Sequence, residues 1–337
     1  MKIEELGEFG LIERIKRLLP SENGNVLLGI GDDVAIVRGN GPNVWLATCD
    51  VQMEGAHFLR NTVSPRDLGR KALAVNLSDI AATGGIPRYA LISLGLPKDL
   101  PVEFIDELYA GLRFEAERSG TTIIGGNISR SRLGLFIDIF LLGEAQEGHI
   151  LLRSGARTGD KIVVTGTLGD AAAGAALLLD PLLPATDAYA ARARTRFNLP
   201  AARLKESGII ASSHAASAMI DISDGLAGDL QHICNRSGVG AIIYTDRLPV
   251  EKENRDLSKR VKGDELDFAV FGGEDYELLF TVAKEKAPSL AEKITAETGT
   301  PVSIIGEILP ASDGRRLVLP DGMEIPLEAR GWDHFKS

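Results

Sequence analysis

The sequence predicts an α/β (α+β) protein of two domains, on three observations. Its 337 residues exceed what one ordinary core fills. Short β-branched runs alternate with longer stretches of helical period. Midway along the chain a polar turn, RSGARTGD (153–160), interrupts that alternation before it resumes. The boundary is placed near 148–153, giving domains of residues 1–149 and 150–337.

In the first half, residues 1–19 (MKIEELGEFGLIERIKRLL) carry an amphipathic helical rhythm with mixed charges, unlike a secretory leader. Strands are expected over 26–30, 44–48, 89–94, 121–124 and 133–143. Between them, 65–83 and 102–119 place apolar residues at i, i+3 and i+4, the mark of half-buried helices. In the second half, 170–179, 226–236 and 285–297 read as helices. Residues 218–222, 241–244, 266–271, 277–282 and 302–308 read as strands. The stretch 180–196, with Pro181 and Pro184, reads as a surface excursion. There is no fixed-period repeat and no low-complexity tract.

Composition narrows the function classes. Apolar residues make up 44% and charged residues 25%, which suits a globular chain with a large core. A net charge of −10 repels phosphate backbones and anionic lipid, so neither nucleic acid nor a membrane surface is an expected partner. No apolar run reaches the length of a membrane span. Two cysteines, Cys49 and Cys234, have no metal-site spacing and make no disulfide framework, which fits a reducing cytoplasm. Five scattered histidines disfavour zinc.

Five short segments share one character, carboxylates or amides at element ends flanked by Gly or Ser: GIGDD (29–33), ATCD (47–50), NLSD (76–79), GGN (125–127) and DISDG (221–225). Any one of them could be an ordinary turn or a helix cap. Together they supply the hard oxygen donors that Mg²⁺ takes alongside nucleotide phosphates. Asn76 and Asp79 fall three apart in an otherwise apolar helix and therefore share a face, where polar groups need a partner. In DISDG, Asp221 and Ser223 point one way along an extended segment, and Asp224-Gly225 leads into a helix N-terminus suited to anions. FGGEDYELLF (271–280) sets Glu274 and Asp275 on a Gly-rich turn, expected as a hairpin between two apolar strands. The glycine turn GTLGDAAAG (166–174) lacks the Lys-Ser/Thr of a P-loop and is better explained by close strand–helix packing. His57 stands alone and could equally be a capping residue.

In this order the segments resemble the thiamine-monophosphate kinase family. The matching stretches are GIGDDVAIV, TCDVQMEGAHFL, DLGRKALAVNLSDIAATGGIPR, IIGGN, RSGARTGDKIVVTGTLGDAAAG, SAMIDISDGLAGDL, FGGEDYELLFTV and GWDHF, running from residue 29 to 335. The resemblance implies an aminoimidazole ribonucleotide synthetase-like fold. In it an N-terminal domain pairs into a β-barrel across a homodimer, and a C-terminal α/β domain follows. It also implies ATP-dependent, Mg²⁺-assisted phosphorylation of thiamine monophosphate to thiamine diphosphate by direct in-line transfer. Carried over position by position, Asp33, Thr48, Asp50, Asp79, Asp221 and Asp224 match magnesium ligands. Tyr109, Gly126, Asn127, Arg153 and Ser223 match the ATP side, and His57, Glu274 and Trp332 the thiamine side. No residue is implied as a general base; Asp50, Asp79 and Asp221 act through the metal. Asn127 departs from the family's GGD, and Cys49 stands where a hydroxyl is frequent. Two alternatives stay open on sequence: another superfamily enzyme such as a purine-pathway synthetase, or a catalytically silent nucleotide-binding scaffold, for which Asn127 is the footing.

Overall fold

The computed structural model describes residues 2–19, 24–39, 41–328, 331, 332 and 335. In chain order its first half comprises α1 (Ile3–Leu18), β1 (Val26–Leu28), β2 (Ala35–Arg38), β3 (Asn43–Met53), α2 (Pro65–Ala82), β4 (Ile86–Leu96), α3 (Val102–Ser119), β5 (Thr122–Arg130) and β6 (Phe136–Gln146). The second half begins with β7 (Lys161–Thr165), α4 (Asp170–Leu179), α5 (Asp187–Asn198), α6 (Leu204–Ser213), β8 (Ala216–Asp221), α7 (Leu226–Ser237) and β9 (Val239–Tyr244). It ends with α8 (Lys252–Lys262), α9 (Asp267–Phe271), β10 (Leu278–Val282), α10 (Ala287–Thr298), β11 (Val302–Pro310), β12 (Arg315–Val318) and β13 (Glu324–Pro326).

The first sheet runs β1-β2-β3-β6-β4-β5 and is antiparallel except where β4 meets β5. One of its faces is closed by α2 and α3. Leu46, Ile92, Ile139 and Leu141 pack there against Leu68, Leu73, Leu77 and Leu112, none more than 1% exposed. Helix α2 starts cleanly because the Ser64 hydroxyl accepts the Asp67 N–H at 3.0 Å and Pro65 needs no N–H partner. Gly111 lets α3 lie close on α2, since a Cβ there would come within 1.8 Å of the Arg66 carbonyl oxygen. The opposite face of the sheet carries exposed apolar side chains. Trp45, Val51, Met53, Tyr89, Leu91 and Phe140 are each more than a third exposed.

The second sheet runs β13-β12-β9-β11-β7-β10-β8. Helix α7 covers one face, through Leu226, Leu230 and Ile233. Helices α6 and α10 cover the other, through Ile210, Leu290 and Ile294. The buried face of α2 also reaches this half of the chain, with Ala81 packed among Ile210 and Met219.

Three expectations differ from the structure. Residues 266–271 are not a strand: Asp267–Phe271 forms α9, burying Phe268, Ala269 and Val270. A short apolar run has no period long enough to separate the two states. The GGEDYE segment therefore joins a helix to a strand and is not a hairpin. The excursion at 180–196 is largely α5, capped where Thr186 accepts the Tyr189 N–H at 3.2 Å, with Tyr189 and Ala193 buried against Leu177, Leu257 and Phe268. Helices α6 and α8 had no counterpart in the sequence reading. Among the described residues no helix is long and apolar enough to cross a membrane.

Candidate active site

The site is assembled around the C-terminal half of α2, where strand ends from both sheets arrive. Asp33, Asp79 and Asp221 each bring a carboxylate oxygen to within 4.8 Å of the others. Asp33 stands just before β2, Asp79 on α2, and Asp221 at the end of β8, so three separate chain segments supply the cluster. The Thr48 hydroxyl, on β3, donates to Asp79. Ser78 donates to Asp221 Oδ2 at 2.6 Å across the two halves of the chain. Asn76 is fully buried: its Oδ1 accepts the Asp50 N–H at 3.0 Å and its Nδ2 donates to the Ala72 carbonyl at 3.1 Å. The shared face of Asn76 and Asp79 therefore splits its work, the amide fixing the β3 backbone and the carboxylate joining the cluster.

Crowding and burial raise the acids. Desolvation, with Asp33 and Asp138 adding repulsion, lifts Asp50 from 3.8 to about 6. Desolvation and Asp33 lift Asp221 to about 7. Asp79 is pushed well above the ordinary carboxylate range by burial, and then by Asp50 and Asp221. Arg153 is the counter-charge in place: its Nη2 and Nε donate to Asp33 Oδ1 at 2.6 and 3.2 Å. Asp33 Oδ2 is buried without a hydrogen bond. A buried carboxylate oxygen with no hydrogen bond, beside Asp79 and Asp221 raised by burial, is a site that favours a cation.

Ser223 and Asp224 sit on the loop between β8 and α7. That loop is held by a residue the sequence reading passed over, Asp229, whose Oδ2 accepts the N–H groups of Ser223, Asp224 and Gly225 at 3.1, 3.2 and 3.1 Å. The signal was available, since an acid in the first turn of the predicted helix suits the helix dipole. Trp332 comes to the same loop. Its backbone N–H donates to the Asp224 carbonyl at 3.0 Å, and its side chain remains 47% exposed. Asp333 and His334 of GWDHF lie outside the described residues.

Glu274 follows on the neighbouring loop, with a left-handed backbone (φ 68°) and its N–H bonded to the Ser223 carbonyl at 2.7 Å. For a non-glycine residue this conformation is uncommon and concentrates at functional sites. His57 closes a turn after β3, its Nδ1 accepting the Met53 N–H at 3.1 Å, and its carbonyl accepts a bond from Lys71 at 3.2 Å.

Tyr109, Gly126 and Asn127 lie apart from the carboxylates. With Ile92 and Ile128 they line a surface cavity of about 400 Å³ at the edge strand β5. Gly126 is required there, because a Cβ would sit 1.8 Å from the Ile92 carbonyl oxygen. The register pairs Gly126 with Ile92 and Asn127 with Ser93, so Asn127 faces the open side of the sheet. Three strand spacings separate β5 from β3, about 14 Å at 4.8 Å each. Asn127 and Asp50 of one chain therefore do not share one ion.

Residues 31–145 match AIR synthase related protein, N-terminal domain, and residues 157–318 match AIR synthase related protein, C-terminal domain. The chain is 39% identical to the thiamine-monophosphate kinase of Aquifex aeolicus, over 99% of this chain and 100% of that one. It is 38% identical to that of Salmonella typhimurium, over 98% and 99%. A solved structure described as AaThiL complexed with AMPPCP and TMP superposes with a TM-score of 0.84 at 38% identity, covering 99% of each chain. The mixed two-domain fold is thus that of AIR synthase-like proteins, and the chain belongs to the thiamine-monophosphate kinase family.

Proposed function

We propose that this protein transfers the γ-phosphoryl group of ATP to thiamine monophosphate, giving thiamine diphosphate, and that residues 1–149 and 150–337 are the two domains between which the reaction occurs. The observation that carries the reading is the three-carboxylate cluster of Asp33, Asp79 and Asp221, drawn from both halves of the chain, in which burial and neighbouring charge raise Asp79 and Asp221. An all-oxygen donor set with an unpartnered buried oxygen on Asp33 fits Mg²⁺. Asp33, Thr48, Asp50, Asp79, Asp221 and Asp224 would hold it. When bound it supplies charge neutralisation of the phosphates.

The chain's own residues do the rest. Arg153 presents a guanidinium fork to phosphate oxygens from its seat on Asp33. Ser223 lies on a loop whose successive N–H groups are already gathered by Asp229. Tyr109, Gly126 and Asn127 line the cavity proposed for ATP. His57, Glu274 and Trp332 bound the acceptor side, with the exposed indole offering a face to a cationic ring. The acceptor phosphate is already ionised near neutral pH, so no side chain is needed to remove a proton, and catalysis rests on in-line alignment and electrostatics.

The bare apolar face of the first sheet, with Trp45, Val51, Met53, Leu91 and Phe140, supports a homodimer formed through it, since exposed patches of this kind mark interfaces. A cytoplasmic location is part of the same reading. The test is incubation with ATP, Mg²⁺ and thiamine monophosphate, with chromatographic separation of products. ADP and thiamine diphosphate should appear in equal amounts, and ADP without thiamine diphosphate would reject the acceptor.

A further inference from the structure

Lys71 is fully buried, a state lysine hardly ever adopts without partners, and it lies on α2 two turns before Asp79. Its ammonium reaches three segments of the chain. It donates to Glu274 Oε2 at 2.6 Å on the loop before β10, and to the His57 carbonyl at 3.2 Å on the turn after β3. It also sits 3.7 Å from the centroid of the Phe197 ring near the end of α5. We propose that Lys71 is a positioning residue for the phosphoryl acceptor, holding Glu274, the His57 turn and α5 as one wall of the acceptor pocket. The proposal rests on the assignment of Glu274 and His57 to the acceptor side.

The ion pair is lopsided in an informative way. The Lys71 side chain is 0% exposed and that of Glu274 is 21% exposed. Lys71 occupies Oε2, and Glu274 Oε1 has no hydrogen bond among the described residues. Here one oxygen is pinned by a fixed cation and the other is left facing outward, ready to accept a hydrogen bond from an amino group of the acceptor. The pairing has a second effect. With the Lys71 ammonium 2.6 Å from Glu274, this wall attracts divalent cations less than the carboxylate cluster does. Phe197 extends the arrangement to α5: a cation over its ring face holds that helix end against the pocket, and Asn198 Nδ2 donates to the Thr62 carbonyl at 3.1 Å beside it.

Steady-state kinetics on the full chain test this with Lys71→Met, Glu274→Gln and the double variant. Lys71→Met should raise the KM for thiamine monophosphate by about tenfold while the KM for ATP stays within about twofold, because the lost contacts lie on the acceptor side alone. The double variant should be no worse than the worse single one, since Lys71 acts through Glu274. If Lys71→Met does not fold, Phe197→Leu, which keeps the ion pair, should still raise the acceptor KM about threefold with that for ATP unmoved. Equal rises in both KM values, an unchanged acceptor KM, or effects that multiply in the double variant would each overturn the proposal. Wild-type protein that fails to phosphorylate thiamine monophosphate would overturn the functional assignment itself, and this inference with it. An active wild type with an indifferent Lys71 overturns only the inference.

Discussion

Replacing Asp221 by asparagine should exchange activity for stability. Asp221 is 2% exposed, and burial with the neighbouring Asp33 holds its carboxyl at about 7 against an ordinary 3.8. The difference, 7 − 3.8, is about 3 units. At about 1.4 kcal/mol per unit, keeping this group ionised in the metal-free folded protein at pH 8 costs about 4 kcal/mol. Asparagine has nearly the same outline, and its amide oxygen can still accept the Ser78 hydroxyl. Burying the amide returns about 2 kcal/mol of the gain, leaving a net stabilisation of about 2 kcal/mol. For 337 residues the entropy of unfolding is about 0.7 kcal/mol/K, so the melting temperature should rise about 3 °C. Scanning calorimetry in EDTA at pH 8 reads this directly. The same variant should lose about 10²- to 10³-fold in kcat, as happens when one preorganised electrostatic contact to a transferring group is removed. Added Mg²⁺ should stabilise wild type more than the variant. A variant that melts below wild type in EDTA at pH 8 would show that Asp221 is a structural partner and not a carboxylate held for a cation.

The wild-type pH profile follows from the same groups. Asp50 and Asp221 bind protons more tightly folded than unfolded, so metal-free stability should fall as pH rises from about 4 through about 7 and level off above, and thermal melts across that range with and without Mg²⁺ check the slope and its loss on metal binding. Asp79→Asn should remain folded and lose most turnover; wild-type activity with an unchanged Mg²⁺ requirement would remove it from the site. Trp332→Ala should raise the KM for thiamine monophosphate about tenfold and leave that for ATP nearly unchanged, whereas equal shifts or a large drop in melting temperature would make the tail an anchor. Asn127→Asp should move the Mg²⁺ activation curve to lower concentration by about threefold through an added charge at the β5 cavity, and an unmoved curve would place Asn127 away from any ion.

What could be read in advance divides along a physical line. Helices α2 and α3 were legible because 18 residues of steady period, a Ser-Pro start and a terminal Gly120 all agree. Helix α9 was misread because the six residues LDFAVF (266–271) carry no period, and tertiary burial of Phe268 and Val270 decides their state. Helix α5 was hidden by the prolines before it, although Thr186 is a sound N-cap. The convergence of Asp33, Asp79 and Asp221 could be expected as a set of motifs but not as a place, since spacing along the chain says nothing about which strand ends meet. Lys71 and Asp229 were missed for a related reason. A lone lysine in an apolar helix and a lone acid in a first turn look like surface residues until the structure shows three N–H groups on one and a ring, a carbonyl and a carboxylate around the other.

The placement of the carboxylates also bears on why two domains are needed. Asp33 and Asp79 come from one half of the chain and Asp221 from the other, with Ser78–Asp221 and Arg153–Asp33 as the contacts that bring them into register. The buried acids repel one another while the site holds no cation, so the two halves repel where the chemistry is proposed to occur. That tension is relieved by positive charge, from Arg153 permanently and from divalent ions on loading. Nucleotide and metal should therefore tighten the two halves against each other. Lys71–Glu274 crosses the same interface as a pair of opposite charges, outside the carboxylate cluster. The acceptor wall can thus be in place before ATP arrives, while the phosphate-binding side completes itself only with its ions.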